Sequence, residues 1–125
     1  MKILLVEDNE GDVEMASRAF RKSPTTLTVA HNGVEAMDYL RQQNTDNIAV
    51  LPDIILLDLN MPCMGGKEFL ETIKLDPGLR FIPVIMFTSS DAPADIRECY
   101  ELHASSYIIK PFDIQQYTST LNQIE

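Results

Sequence analysis

The run Ile54-Ile55-Leu56-Leu57 contains no polar residue to turn toward water, follows Pro52-Asp53 and stops at Asp58. An apolar run this short, with a proline just ahead of it, reads as a strand covered on both faces, and such strands lie inside parallel sheets. Pro52 precedes the strand, where no ladder donor is required. Residues 60–66 hold Pro62, Gly65 and Gly66 and form a loop. Asp58 therefore emerges at the carboxyl end of a central strand, where a carboxylate is costly to place without a partner. It is the first candidate for chemistry.

The rest of the chain supplies the sheet this strand needs. Lys2-Ile3-Leu4-Leu5-Val6 is a short apolar strand ending at Glu7-Asp8-Asn9. Residues 10–22 have helical spacing, with Val13, Ala16 and Phe20 on one face, and Ser23-Pro24 closes the helix. A weaker strand follows over 27–30. Asn32 then caps a helix with Glu35 three residues on, and Met37 and Leu40 face inward. Residues 44–51 read as a loop. After the central strand, a helix over 66–75 buries Phe69, Leu70 and Ile73 and stops at Asp76-Pro77-Gly78. Residues 83–87 form another buried strand, ending at Thr88-Ser89-Ser90. Pro93 opens a helix with Ile96, Cys99 and Tyr100 inside. Residues 107–109 are the last strand, and Asp113 caps a final helix striped by Ile114, Tyr117, Leu121 and Ile124. Five strand–helix pairs in strict alternation predict an α/β fold: a doubly wound, five-stranded parallel sheet with helices on both faces and right-handed crossovers. The length, 125 residues, suits one domain over 1–125.

Four strands end in polar residues: Glu7 and Asp8, Asp58, Thr88, and Lys110. In an open parallel sheet these positions share one edge, where ligands bind at the switch point of strand order. With order 2-1-3-4-5, a flavodoxin-like (βα)5 arrangement, the first and third strands are neighbours, and Glu7, Asp8 and Asp58 crowd together. Like charges raise one another's pKa, and a divalent cation relieves the crowding. Oxygen ligands without His or Cys point to a hard ion, Mg²⁺. Taken singly each residue has a plainer role: a turn or cap for Asp8, Asp58 or Thr88, a surface charge for Lys110. The joint pattern permits phosphoryl transfer to a carboxylate. Asp58 is the nucleophile, Asp8 and Asp58 hold the metal, Lys110 holds a phosphoryl oxygen as a point charge, and the Thr88 hydroxyl donates to another.

These residues resemble the receiver domain of two-component response regulators over essentially the whole chain. The match is carried by Leu4-Leu5-Val6-Glu7-Asp8-Asn9, Asp58-Leu59-Asn60-Met61-Pro62 with Gly65, Thr88-Ser89, and Tyr107-Ile108-Ile109-Lys110-Pro111-Phe112. The resemblance implies that Asp58 accepts phosphate from a sensor histidine kinase. It implies that Asp8, Asp58 and the Asn60 carbonyl ligate Mg²⁺, with Glu7 acting through water. It also implies a cis Lys110-Pro111 bond. Two residues depart from the family pattern. Ser89 replaces the usual Ala, and His103 stands where Gly is common, at a left-handed helix end. Glu7-Asp8-Asn9-Glu10-Gly11-Asp12-Val13, Asp58-Leu59-Asn60 and the 44–51 loop resemble the stand-alone regulators associated with phytochrome-type kinases.

A Mg²⁺-dependent phosphatase of the haloacid-dehalogenase kind would need an acid two residues after the nucleophile, and Asn60 stands there. A flavodoxin-like cofactor binder would need a hydroxyl- and glycine-rich loop after the first strand, where Glu7-Asp8 stands. The reading is a signalling phosphoacceptor that catalyses only its own phosphorylation and dephosphorylation. The expected switch pairs Thr88 with Tyr107: the hydroxyl swings to the phosphoryl group and the ring turns inward. That reshapes the face made by the fourth helix, fifth strand and fifth helix for a downstream protein or a second copy. A net charge of −9 argues against a nucleic-acid surface. No apolar stretch approaches the roughly 18 residues of a membrane span. Cys63 and Cys99 are far apart with no CxxC pair, so a reducing cytoplasm is the expected setting, and Cys63 is read as an inert loop thiol. The sequence ends just after the final helix, so no output domain is expected within it.

Overall fold

The computed structural model describes residues 1–43 and 51–124. Its elements are β1 (Lys2–Val6), α1 (Glu10–Phe20), β2 (Thr26–Ala30), α2 (Gly33–Gln43), β3 (Ile54–Leu57), α3 (Gly66–Leu75), β4 (Val84–Thr88), α4 (Pro93–Glu101), β5 (Ser106–Ile109) and α5 (Ile114–Ile124). All strand pairs are parallel, in the order β2-β1-β3-β4-β5. The predicted topology is the observed one. The loop expected at 44–51 lies outside the described residues except for Leu51, which is buried.

The alternation of strand side chains builds two cores. Leu4, Val6, Ile55, Leu57, Val84 and Met86 point to the side holding Met37 and Leu40 of α2, Phe69, Leu70 and Ile73 of α3, and Cys99 of α4. Ile3, Leu5, Leu56 and Phe87 point to the other, against Ala16 and Phe20 of α1 and Tyr117 and Leu121 of α5. Ile55, Leu56 and Leu57 are fully buried, as the unbroken apolar run requires. β3 is hydrogen-bonded between β1 and β4, with Val6 opposite Leu57 in the register, so Glu7 and Asp58 leave their strands side by side.

The caps read at Asn32 and Asp113 hold: Asn32 accepts from Glu35 N at 2.8 Å and Asp113 accepts from Gln115 N at 2.7 Å. Asn9, which the sequence reading does not name as a cap, caps α1 by accepting from the Asp12 amide at 3.0 Å. His103 has φ 74°, the left-handed helix end expected of it. Three expectations need correction. Among the described residues no peptide bond is cis, so Lys110-Pro111 is trans, the form an X-Pro bond favours by about 0.5–1 kcal/mol. Tyr100 is exposed and only Cys99 of α4 is fully buried, because this nine-residue helix meets the body along a narrow strip. Ile114 is also exposed, since the first turn of α5 projects past the packed layer and the inward stripe begins at Tyr117.

Candidate functional site

The carboxyl edge of the sheet gathers the residues that the sequence singles out. Carboxylate oxygens of Glu7, Asp8 and Asp58 all lie within 4.8 Å of one another. Glu7 and Asp58 are buried, whereas Asp8 is exposed. The Asp58 backbone is fixed by Asp58 N donating to the Val6 carbonyl at 3.1 Å, and its Oδ1 accepts from Leu59 N at 2.9 Å. The set offers oxygen donors only, which fits a hard divalent cation.

Lys110 reaches into this cluster from the end of β5. Its Nζ donates to Glu7 Oε2 at 2.7 Å and to Asp12 Oδ2 at 3.1 Å, and stands 3.9 Å from Asp58 Oδ1. The lysine that was expected to address the phosphoacceptor thus sits beside it, engaged by two other acids. Glu7 has both oxygens occupied, since Oε1 accepts from Asn9 N at 3.1 Å. Burial pushes the Glu7 carboxyl up to about 7; the Lys110 hydrogen bond opposes this and the Asp58 charge adds to it. Burial also works against the Lys110 charge, but the hydrogen bond to Glu7 and the charges of Asp58, Glu7 and Asp12 outweigh it and hold the ammonium protonated. Each group is thus stabilised by the other, as a buried pair must be.

Thr88 ends β4 fully buried, with its Oγ1 accepting from Ser90 N at 3.4 Å. Tyr107 is half-buried against the α3–α4 core and its hydroxyl donates to the Ser90 carbonyl at 2.9 Å. In this structure the Tyr107 hydroxyl rests on the loop that follows Thr88. The Ser90 carbonyl is the acceptor that seats the phenol. Ser89 is exposed beside the site, and Asn60 is exposed at the start of the β3–α3 loop. Cys63, in that loop, is exposed with φ 68°, a left-handed conformation that a non-glycine residue gives no local signal for.

Two features escape the sequence reading. Asp12, in the first turn of α1, accepts from Lys110 and from the Tyr117 hydroxyl, the latter at 3.0 Å. Lys67, at the start of α3, donates to Asp95 at 2.7 Å and Glu98 at 2.6 Å, and Asp95 also accepts from Ser90 Oγ at 2.6 Å. A first-turn acid ordinarily reads as a helix-dipole partner. Its place one turn beyond Glu7-Asp8, over the same sheet edge, and its membership of the run over residues 7–13 are the sequence signals for Asp12.

Comparison with known proteins agrees with this geometry. The model of the response regulator receiver domain matches residues 3–122. The probable methanogenesis regulatory protein FilR2 of Methanothrix harundinacea is 38% identical over 125 residues, covering 98% of this chain and 80% of its own. Response regulator Rcp1 of Synechocystis sp. is 35% identical over 125 residues, covering 98% of this chain and 85% of its own. Among solved structures, the phosphorylated cyanobacterial phytochrome response regulator RcpA superposes with a TM-score of 0.91 at 41% identity, over 99% of this chain and 90% of that one. The Mn²⁺-bound form of Rcp1 reaches 0.88 at 35% identity, over 99% and 91%. With a parallel sheet in the order 2-1-3-4-5, Asp58 at the phosphoacceptor position and a family match spanning nearly every residue, the chain belongs to the response regulator receiver domains of two-component signalling.

Proposed function

We propose that Asp58 accepts a phosphoryl group from a histidine kinase, with Mg²⁺ held by Asp8, Asp58 and the Asn60 carbonyl. The observation that carries this reading is the meeting of three carboxylates within 4.8 Å of one another with Lys110 beside them. An Asp58 oxygen forms an O–P bond as the P–N bond of the kinase phosphohistidine breaks, and the electron pair of that bond stays on the imidazole nitrogen. When bound, the metal offsets charge on the transferring oxygens. Glu7, with both oxygens engaged by Asn9 and Lys110, acts on the ion through water. Lys110 then donates to one phosphoryl oxygen and Thr88 to another. Hydrolysis of the acyl phosphate returns the carboxylate, and turnover is confined to this cycle.

The signal passes through Thr88 and Tyr107. Thr88 leaves Ser90 N for the phosphoryl group, and the Tyr107 ring, already seated on the Ser90 carbonyl, is held there. Tyr100, Ile109, Phe112 and Ile114 are all exposed along α4, β5 and α5, an apolar face suited to a second copy or a downstream protein. Two separate states need differ in partner affinity by only about 1–3 kcal/mol to signal. The likeness to RcpA and Rcp1 supports a phytochrome-type kinase as donor. No described helix is long and apolar enough to cross a membrane, and with a net charge of −9 the chain has protein partners rather than nucleic acid. We place it in the cytoplasm.

The test is labelling by acetyl phosphate with Mg²⁺, read by intact mass and peptide mapping. The wild-type chain gains one hydroxylamine-sensitive phosphoryl group at Asp58, labile in both acid and base as an acyl phosphate is, and Asp58→Asn gains none. Its amide keeps the size but loses the nucleophilic oxygen charge. A main label on any other residue overturns the assignment.

A further inference from the structure

We infer that Asp12 is a positioning residue for phosphorylation: it holds the Lys110 amine short of Asp58 and links that amine to Tyr117 in α5. The inference rests on the phosphoacceptor reading above and concerns how the site is restrained before transfer.

Asp12 is built into a closed ring of hydrogen bonds. Asn9 N donates to Glu7 Oε1 at 3.1 Å, Asp12 N donates to Asn9 Oδ1 at 3.0 Å, and Lys110 Nζ donates to Asp12 Oδ2 at 3.1 Å and to Glu7 Oε2 at 2.7 Å. The cap of α1 therefore fixes the Asp12 backbone against the residue next to the metal cluster. Its second carboxylate oxygen, Oδ1, accepts from the Tyr117 hydroxyl at 3.0 Å. Burial, then the Asp12 charge, pushes the Tyr117 phenol upward, so it stays a donor. Tyr117 is itself locked edge-on against Phe87, ring centroids 5.1 Å apart. Asp12 thus has one oxygen on each side: Lys110 of the site and Tyr117 of α5.

An ammonium has three protons to give. Two go to Glu7 and Asp12, and the 3.9 Å to Asp58 Oδ1 is too long for a hydrogen bond. A phosphoryl group on Asp58 brings new anionic oxygens toward Lys110. Of its two present bonds, the one to Asp12 is longer and ends on the more exposed carboxylate, with side-chain exposures of 22% for Asp12 and 2% for Glu7. That bond yields. Asp12 then keeps only Tyr117, and the change is carried to α5.

Affinity for beryllofluoride in the presence of Mg²⁺, measured by calorimetry, reads the competition directly. Asp12→Asn weakens the hold on Lys110 while still accepting from Tyr117, and binds the mimic about threefold to tenfold more tightly, the scale of one partly exposed charge-assisted hydrogen bond. Glu10→Gln removes a charge from the same helical turn without touching Lys110 and stays within about 1.5-fold of wild type, as a screened exposed charge should. Tyr117→Phe frees the carboxylate on the α5 side and shifts affinity less than Asp12→Asn. In protein labelled with 3-fluorotyrosine, the Tyr117 resonance moves on adding beryllofluoride to the wild type, and most of that movement is lost in Asp12→Asn; a merely structural acid would leave it intact. Equal affinity of Asp12→Asn and Glu10→Gln, or an undiminished Tyr117 shift in Asp12→Asn, overturns the inference. Retained binding by Asp58→Asn would instead overturn the phosphoacceptor reading, so the two failures are separable.

Discussion

Gly66 opens α3 where the helix abuts the acceptor strand. A Cβ built there would lie 2.3 Å from the Asp58 carbonyl oxygen and 2.7 Å from Leu59 Cα, both backbone atoms that cannot rotate away. Its amide donates to the Leu59 carbonyl at 2.9 Å, which fixes the approach. Alanine improves helix propensity by at most about 1 kcal/mol, and less at a first-turn position. Overpacking against backbone costs about 1–3 kcal/mol and wins. Gly66→Ala should therefore lower the urea midpoint and slow labelling of Asp58 by acetyl phosphate. An unchanged midpoint would mean that α3 shifts freely and that the close approach does not matter. The sequence marks this segment as a loop with two glycines but does not tell which one the packing demands. Gly65, one residue earlier, would meet nothing closer than 3.8 Å. Asp12 was hidden for a related reason: its partner Lys110 lies 98 positions away, and nothing local distinguishes it from a solvated first-turn acid.

At the scale of elements, Lys67 at the start of α3 ties that helix to Asp95 and Glu98 of α4, Ser90 joins through Asp95, and Tyr107 joins through the Ser90 carbonyl. The periodicity of α3 and α4 reports which faces they bury, and it is correct for Phe69, Leu70, Ile73 and Cys99. It is silent on charges that cross between helices, which depend on how the two lie together. The Lys67 and Ser90 hydrogen bonds hold the Asp95 carboxyl below its ordinary 3.8. The bonds to Asp95 and Glu98 hold the Lys67 ammonium above its ordinary 10.5. A depressed acid stabilises the fold above its unfolded pKa and loses that contribution as pH falls through the folded value. A raised lysine stabilises below its unfolded pKa and loses it as pH rises through the folded value. The clamp should thus act across the neutral range and fade below pH 3.8 and above 10.5. Because these groups lie at the surface, salt screens them and the gain is small. Asp95→Asn should speed amide exchange in α4 at neutral pH, and the difference from wild type should shrink toward zero in acid. Identical α4 exchange at neutral pH would show that packing of Cys99 alone holds the helix.

For the whole molecule, the alternating strand pattern made the topology legible, because each strand must cover two faces and each helix one. The same pattern placed Glu7, Asp8 and Asp58 on one edge, so the carboxylate cluster is legible in the sequence. What it could not supply was the pairing within that edge, since Lys110 has three carboxylates in reach and the register of side chains decides among them. The cluster also bears on stability. With a net charge of −9, self-repulsion works against the compact state. It is greatest where three carboxylates lie within 4.8 Å of one another, against a single nearby ammonium. A divalent cation that binds this edge only in the folded chain stabilises it by about 2.7 kcal/mol at a hundredfold excess over its Kd. Mg²⁺ should therefore raise the thermal midpoint by several degrees, beyond what sodium chloride does at matched ionic strength. Asp8→Asn removes an exposed ligand with no buried partner to strand, so it should fold well and lose most of the Mg²⁺-specific rise. Glu7→Gln should keep more of that rise, because Glu7 is committed to Asn9 and Lys110, but should be less stable without metal, since it takes the buried partner from Lys110. A Mg²⁺ rise as large in Asp8→Asn as in the wild type would remove the cation from this edge.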